Sequence, residues 1–174
     1  PLALGGITYG VSDLELTAAY AAIADGGQYR KPVFYTKVTD SKGNVLIDNT
    51  ENKATQVFKA STASLLTNAM EDVLEKGTGV AARLDNMHAA GKTGTTNEAK
   101  DLVFAGFTPY YTAAIWATYD THAEFPESDR EFHKRLWAKV MNEIHEGLAD
   151  MDFETSATVQ EATICTKTGL LARS

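Results

Sequence analysis

Between Ala89 and Tyr119 the hydrophobic pattern changes to the period of extended chain, and this stretch constrains the fold more than any other. It accommodates a strand around Gly91–Thr96, then Leu102–Thr108 and Tyr111–Tyr119 joined through Pro109. A sheet of this kind must bury a face, and helical patterns flank it. Leu65, Leu66, Ala69, Met70, Val73 and Leu74 recur at i, i+1, i+4, i+5, i+8 and i+9, which predicts a helix over Ser61–Lys76 with Leu66, Met70, Val73 and Leu74 inward. Gly77-Thr78-Gly79 ends it. Ser12-Asp13-Leu14-Glu15 is a capping box opening a helix that buries Leu14, Ala18 and Ala21 or Ala22 and stops at Gly26-Gly27. A second box, Ser128-Asp129-Arg130-Glu131, opens a helix with Phe132, Leu136, Val140 and Ile144 inward, ending near Gly147. Val33–Asp40 and Val45–Asp48 flank a Ser41-Lys42-Gly43-Asn44 turn and read as a hairpin. Ala157–Cys165 alternates weakly and reads as a closing strand. Helices packed on an antiparallel sheet make the fold class α+β.

Composition narrows the possible chemistry. A chain of 174 residues with 44% hydrophobic side chains holds one folded core. Its 16 basic and 23 acidic side chains leave a charge of −7, which repels phosphate backbones and excludes nucleic acid as a partner. The longest apolar stretches, such as Ala113–Ala117, fall far short of the roughly 20 residues that span a bilayer. The single Cys165 excludes a disulfide scaffold or a four-Cys zinc module and reads as a buried structural thiol. His88, His122, His133 and His145 include no i, i+4 pair, so they read as solvated or packed rather than as metal ligands. Glu71-Asp72, and Glu143 with Glu146, read as solvated helix faces. The first residue is Pro1, with no Met and no signal peptide before it, which suggests a chain that does not begin where its gene begins.

The chemistry concentrates in Gly91-Lys92-Thr93-Gly94-Thr95-Thr96. A phosphate loop would need Gly where Asn86 stands, and both the acidic balance and the β-like context oppose it. The other reading is the Lys-Thr-Gly element of serine acyl-transfer enzymes. Lys92 would place a fixed positive charge beside a substrate carboxylate and the proton-relay groups, and Thr93 and Thr95 would offer hydroxyl donors. Gly94, lacking Cβ, lets a ligand or another backbone approach. The Thr95 N–H would serve as an oxyanion-hole donor, worth about 2.7–4 kcal/mol in related acyl chemistry.

The flanks of this element carry a resemblance. Ala3-Leu4-Gly5-Gly6, Gly10-Val11, Leu14-Glu15-Leu16, Ala18-Ala19-Tyr20, Gly26-Gly27, Pro32, Gly77-Thr78-Gly79, Ala90–Thr96 and Asp101 followed by Phe104-x-Gly106-Phe107-Thr108-Pro109 stand in the order found in one family. The chain closely resembles the C-terminal part of the transpeptidase domain of class A (bifunctional) penicillin-binding proteins, densely from about Leu2 to Asp120 and thinly thereafter. The resemblance implies a serine β-lactamase/transpeptidase-like fold completed by an N-terminal segment missing here. Residues 1–120 would be the C-terminal portion of the transpeptidase domain with the Lys-Thr-Gly strand, and 121–174 its C-terminal helix and closing strand or tail.

The implied activity is peptidoglycan D,D-transpeptidation through a Ser acyl-enzyme, with β-lactams acylating the same Ser. Lys92 and Thr95 would be catalytic, and Lys92, Thr93, Gly94 and Thr95 substrate-binding. Neither metal nor organic cofactor is implied. Rival readings are a D,D-carboxypeptidase or β-lactamase of the same superfamily, and a non-catalytic penicillin-binding-like module. The family's Ser-x-x-Lys and Ser-x-Asn elements do not occur; Thr50-Glu51-Asn52-Lys53 has Thr in place of the nucleophile. The nucleophile is therefore expected on the N-terminal segment of the same domain, which would be the main partner alongside stem peptides and β-lactams. The implied location is the extracytoplasmic face of a bacterial membrane, anchored by an N-terminal transmembrane helix outside this chain, which itself would make no membrane contact. A second Lys-Thr-Gly, Lys167-Thr168-Gly169, lacks the preceding Gly and the following Thr, and reads as a turn.

The chain on its own is expected to fold poorly, to require a second chain packed on it, and to form no covalent adduct with penicillin. Intact-mass measurement checks this; a cooperative, soluble monomer that gains the mass of penicillin by itself would contradict it.

Overall fold

The computed structural model describes residues 6–171. Of the family-like segments, Ala3, Leu4 and Gly5 lie outside the described residues. In chain order the elements are α1 (Asp13–Ala24), β1 (Gln28–Tyr29), β2 (Lys37–Thr39), β3 (Val45–Asp48), β4 (Thr55–Gln56), α2 (Ala60–Glu75), β5 (Ala90–Thr95), β6 (Asp101–Phe107), β7 (Thr112–Thr118) and α3 (Phe132–Ile144). The Ser12–Glu15 capping box forms as expected: Ser12 Oγ accepts the Glu15 N–H at 3.2 Å and the Glu15 carboxylate accepts the Ser12 N–H at 2.8 Å. Those donations from the Ser12 backbone and hydroxyl hold the Glu15 carboxyl below its usual range.

β5, β6 and β7 form one antiparallel sheet with β6 in the centre. Leu102, Phe104, Ala105, Gly106 and Phe107 of β6 are buried, so both faces of this strand are covered. Because side chains alternate along a strand, Phe104 and Gly106 share one face and Ala105 and Phe107 the other. On the first face α3 lays Trp137 edge-on to Phe104, with ring centroids 4.9 Å apart, and Leu74, Leu84 and Met141 complete the cluster. On the second face Met70 of α2 meets Phe107 and Ala90, with Tyr20 and Ile23 of α1 alongside. The three strands expected for this sheet thus appear, each within a residue or two of its predicted limits.

Several expectations need correction. On α3 the buried side chains are His133, Lys134, Trp137, Ala138 and Met141, while Phe132, Leu136, Val140 and Ile144 are exposed. The helix carries two apolar columns, and the one bearing Trp137 faces the sheet. Its second capping box does not form: Glu127–Asp129 is a 3-10 turn, the Ser128 hydroxyl donates to the Asp129 carboxylate, and Glu131 caps without a side-chain bond. On α2 the inward column is Ala63, Thr67, Met70 and Leu74; Val73 is half-buried, and Leu65, Leu66 and Ala69 are exposed. The α2 helix is rotated so that the small Ala63 and Thr67, rather than Leu65 and Leu66, meet the neighbouring elements. Leu14 is exposed although Ala18 and Ala22 are buried.

The β2–β3 hairpin forms with a bulge between Val38 and Thr39, but its first strand is only Lys37–Thr39. Ala157–Cys165 forms no strand, only the isolated bridge Ile164–Leu171. Cys165 is exposed, and the Thr168 hydroxyl with the Lys167 and Thr168 backbone holds its thiol below the ordinary range. Glu71 is half-buried, and burial pushes its carboxyl above the usual range.

After α3 the chain returns along the end of the sheet. Tyr110 Oη donates to the Ala149 carbonyl at 2.9 Å, Ser156 N–H to Ser64 Oγ at 2.9 Å, and Phe153 meets Phe107 with centroids 5.4 Å apart. His88 clamps this segment through Asp150, whose carboxylate accepts from its backbone N–H and lies 3.0 Å from its Nδ1. The Asp150 hydrogen bond raises the His88 pKa above its ordinary 6.5. A raised histidine pKa contributes stability that is full below the unfolded value and lost as pH rises through the folded one. An NMR titration is expected to place the His88 midpoint above 6.5, and Asp150→Asn to bring it down. An unchanged midpoint in that variant would remove Asp150 as the cause.

Candidate functional site

The Lys-Thr-Gly element occupies β5, an edge strand. Its inner edge pairs with β6 in the register Lys92↔Ala105, Thr93↔Phe104, Gly94↔Val103 and Thr95↔Leu102. No other strand among the described residues pairs with its outer edge. The Thr96 N–H turns inward, donating to the Asp101 carbonyl at 3.2 Å. Backbone groups alternate sides along a strand, so Thr95 and Thr93 direct their N–H and C=O groups to the open edge. An extended ligand can add there as a further strand.

The side chains of the element divide between two faces, and the Lys92 arm returns to this edge. Thr93 and Thr95 share the α3 side with Phe104 and Leu102, while Lys92 and Gly94 lie on the other side with Ala105 and Val103. The exposed Lys92 folds back so that Nζ donates to the outward Thr93 carbonyl at 2.8 Å. An ammonium, two hydroxyls and two outward N–H groups therefore stand along one short stretch of chain. All are positive or donating, which suits an anionic ligand group. The four residues assigned from the sequence are thus brought together, in one strand.

The support around the element was not read from the sequence. Thr78 Oγ1 lies 2.8 Å from Thr93 Oγ1, and the buried Lys134 donates to the Thr78 carbonyl at 3.0 Å. Gly77-Thr78-Gly79 reads from the sequence as a helix stop and as one of the family-like segments, neither of which gives Thr78 a role beside β5. Beyond β5 the chain makes a tight turn in which Glu98 and Ala99 adopt left-handed φ of 63° and 47°. Asp101 anchors this turn, accepting from Trp116 Nε1 and Thr96 Oγ1, each at 3.0 Å. Burial pushes the Asp101 carboxyl up, yet the Trp116 and Thr96 donors outweigh it and the net shift is downward.

Other features stand apart from β5. A depression of about 700 Å³ near Lys76, Arg83, Asp85, His88 and Asp150 has a lining that stops at Ala89, before the strand begins. Lys167-Thr168-Gly169 forms an exposed turn whose Thr168 and Gly169 N–H groups close on the Cys165 carbonyl, as the sequence predicts. Among the described residues no group of three or more His, Cys, Asp or Glu side chains is placed to hold a metal ion, and no helix is long and apolar enough to cross a membrane.

Residues 2–146 match the family described as the penicillin binding protein transpeptidase domain. The chain belongs to that family. It is 34% identical over 166 residues to penicillin-binding protein 1A of Clostridium perfringens, covering 95% of this chain and 19% of the relative. Among solved structures it is similar to PonA1 of Mycobacterium tuberculosis in complex with penicillin V, with TM-score 0.70, 27% identity and coverage of 80% of this chain and 39% of that one. Penicillin-binding protein 1A of Haemophilus influenzae shares the fold at TM-score 0.79 and 20% identity, over 94% of this chain and 31% of that one. The chain thus spans about a fifth of the length of the curated relatives it matches. Its fold is that of the β-lactamase/transpeptidase class, built here as helices on both faces of an antiparallel sheet.

In this transpeptidase-family sheet two glycines of β5, Gly91 and Gly94, differ in how closely they are surrounded. A Cβ on Gly91 would meet Phe104 Cζ at 2.7 Å and the Ala105 carbonyl oxygen at 3.0 Å; one on Gly94 would meet only Val103 Cβ, at 3.4 Å. Gly91→Ala is therefore expected to cost about 1–3 kcal/mol, as overpacking does. Gly94→Ala should stay within about 0.5 kcal/mol of the parent, an ordinary surface change. Urea unfolding of the intact domain checks the pair, and equal losses would contradict the crowding difference.

Proposed function

We propose that this chain forms the carboxylate-binding wall of a serine D,D-transpeptidase that cross-links peptidoglycan stem peptides. The observation that carries the reading is the open edge of β5, where Lys92 Nζ and the outward N–H groups of Thr93 and Thr95 stand beside the α3-side face bearing both threonine side chains, in a chain of the transpeptidase family. A stem peptide would lie along this edge with its terminal D-Ala carboxylate at the hydroxyls and the ammonium. A Ser on another segment of the protein attacks the penultimate D-Ala carbonyl, with the Thr95 N–H donating to the developing oxyanion. The carbonyl carbon forms an ester with the Ser oxygen, the C–N bond breaks, and the terminal D-Ala leaves as its amine with the proton from Ser. The amine of a neighbouring stem peptide then attacks the ester carbonyl, the new C–N bond forms as the C–O bond breaks, and the amine's proton returns to the Ser oxygen, so one difficult step becomes two easier ones. A β-lactam acylates the same Ser as its ring amide opens, and its carboxylate takes the same place on β5. In this reading the rest of the transpeptidase domain packs against this chain, and the site works on the extracytoplasmic face of a bacterial membrane.

The two Lys-Thr-Gly elements should behave oppositely in the intact protein. Lys92→Ala is expected to slow β-lactam acylation by about 30- to 1,000-fold, the equivalent of roughly 2–4 kcal/mol of charge-assisted contact, part of it as weaker binding. Lys167→Ala, on an exposed turn, is expected to change the rate by less than about threefold. Mass-resolved acylation of both variants beside the parent decides it. A crippled Lys167→Ala with a near-normal Lys92→Ala would place the site on the wrong element.

A further inference from the structure

Thr78 stands where it can set the direction of the Thr93 proton. Its hydroxyl oxygen is 2.8 Å from Thr93 Oγ1, and among the described residues Thr93 is its only hydrogen-bond partner. Each hydroxyl carries a single proton, so one of the two residues donates across this contact and the other accepts. A carboxylate only accepts. If Thr93 spent its proton on Thr78, it would turn a lone pair toward the anion and repel it. If Thr78 donates, the Thr93 proton is free to point along the open edge of β5.

The turn that carries Thr78 is fixed by three contacts, two to α2 and one to α3. Gly79 N–H donates to the Val73 carbonyl at 2.9 Å, tying the turn to the end of α2. A Cβ on Gly77 would meet Val73 Cα at 2.8 Å, so the backbone is seated directly against that helix. Lys134 Nζ, from α3, donates to the Thr78 carbonyl at 3.0 Å while paired with Glu131. Lys134 is only 6% exposed. A lysine is rarely so buried unless its charge is fully engaged, and here the charge is shared between Glu131 and one main-chain carbonyl.

We infer that Thr78 is a positioning residue for ligand carboxylates: it donates to Thr93 Oγ1 and so aims the Thr93 proton outward, while Lys134 and Glu131 hold its turn in place. The inference rests on the reading of β5 as a carboxylate wall. It adds three residues on two further elements, none of which would touch the ligand.

The test uses the intact protein and two ligands, penicillin and its carboxylate methyl ester. Thr78→Val keeps the shape and removes the hydroxyl; Thr78→Ser keeps the hydroxyl. Thr78→Val is expected to slow acylation by penicillin by about five- to tenfold, the scale of one hydrogen bond, and to change acylation by the ester by less than about twofold. Thr78→Ser should return the penicillin rate to within about twofold of the parent. The double variant Thr78→Val with Thr93→Val should be no slower than Thr93→Val alone, because the two act through one contact. Equal slowing with both ligands, or additive losses in the double variant, would overturn the inference as a merely structural effect. A parent that is acylated, with Thr93→Val impaired and Thr78→Val at the parent rate, would overturn it while leaving the β5 reading intact. A parent that takes up no β-lactam would overturn both.

Discussion

The seat of Trp137 on the sheet sets the arrangement of nearly everything else. Gly91 and Gly106 are register partners on β5 and β6, and together they leave a recess on the α3 face. Phe104 and Trp137 fill it: a Cβ on Gly106 would lie 2.9 Å from both Phe104 Cε1 and Trp137 Cζ2. The indole N–H is satisfied by the Ala113 carbonyl of β7 at 3.0 Å, so one side chain ties α3 to two neighbouring strands. An edge-to-face aromatic pair adds about 0.5–1.5 kcal/mol beyond its burial, but its larger effect is directional. With Trp137 seated, Lys134 one turn earlier on α3 meets the Thr78 carbonyl, and Thr78 meets Thr93. Packing in the core thereby decides where a hydroxyl stands on the strand edge.

The same sheet explains why a polar element can sit beside so apolar a strand. β6 is covered on both faces and carries the hydrophobic load, while β5 has one paired edge and one open edge. An open edge is usually a liability, since unpaired N–H and C=O groups invite strand addition. Here Lys92 covers part of it by donating to the Thr93 carbonyl, a contact that an incoming anion can exchange for its own. The alternation of side chains sends Lys92 and the two threonines to opposite faces, and only the length and flexibility of the lysine arm bring its charge back to the edge. An arginine or a shorter cation would not make that return equivalently.

How much of this was legible in the sequence depends on which physical signal each part rests on. The strands showed because β6 is a continuous apolar run and β7 repeats it after a proline turn. The Lys-Thr-Gly strand showed because its residue types are dictated by chemistry rather than packing. The face of α3 did not show, because His133 and Lys134 are polar letters in the buried column and Phe132, Leu136, Val140 and Ile144 make a cleaner apolar row. What selects the buried column is the match of Trp137 to Gly106, a contact between residues far apart in sequence. The same holds for α2, where Ala63 and Thr67 are buried because the approach is close, while the apolar periodicity points to Leu66. The β-like apolar stretch around Cys165 suggests a buried thiol, but that segment forms only the Ile164–Leu171 bridge and leaves the sulfur exposed. The part Thr78 plays beside β5 rests on a contact between residues 15 apart in the chain, which the helix-stop pattern of its turn does not show.

The most direct measurement is a crystal structure of the intact protein acylated by penicillin. The ligand carboxylate is expected within hydrogen-bond distance, roughly 2.5–3.2 Å, of the Thr93 and Thr95 hydroxyls, with Lys92 Nζ drawn from the Thr93 carbonyl toward it. The acyl carbonyl oxygen should accept from the outward Thr95 N–H. A carboxylate seated instead at the Lys167 turn or in the depression beside His88, with the open edge of β5 left free, would contradict the assignment of this strand as the binding wall.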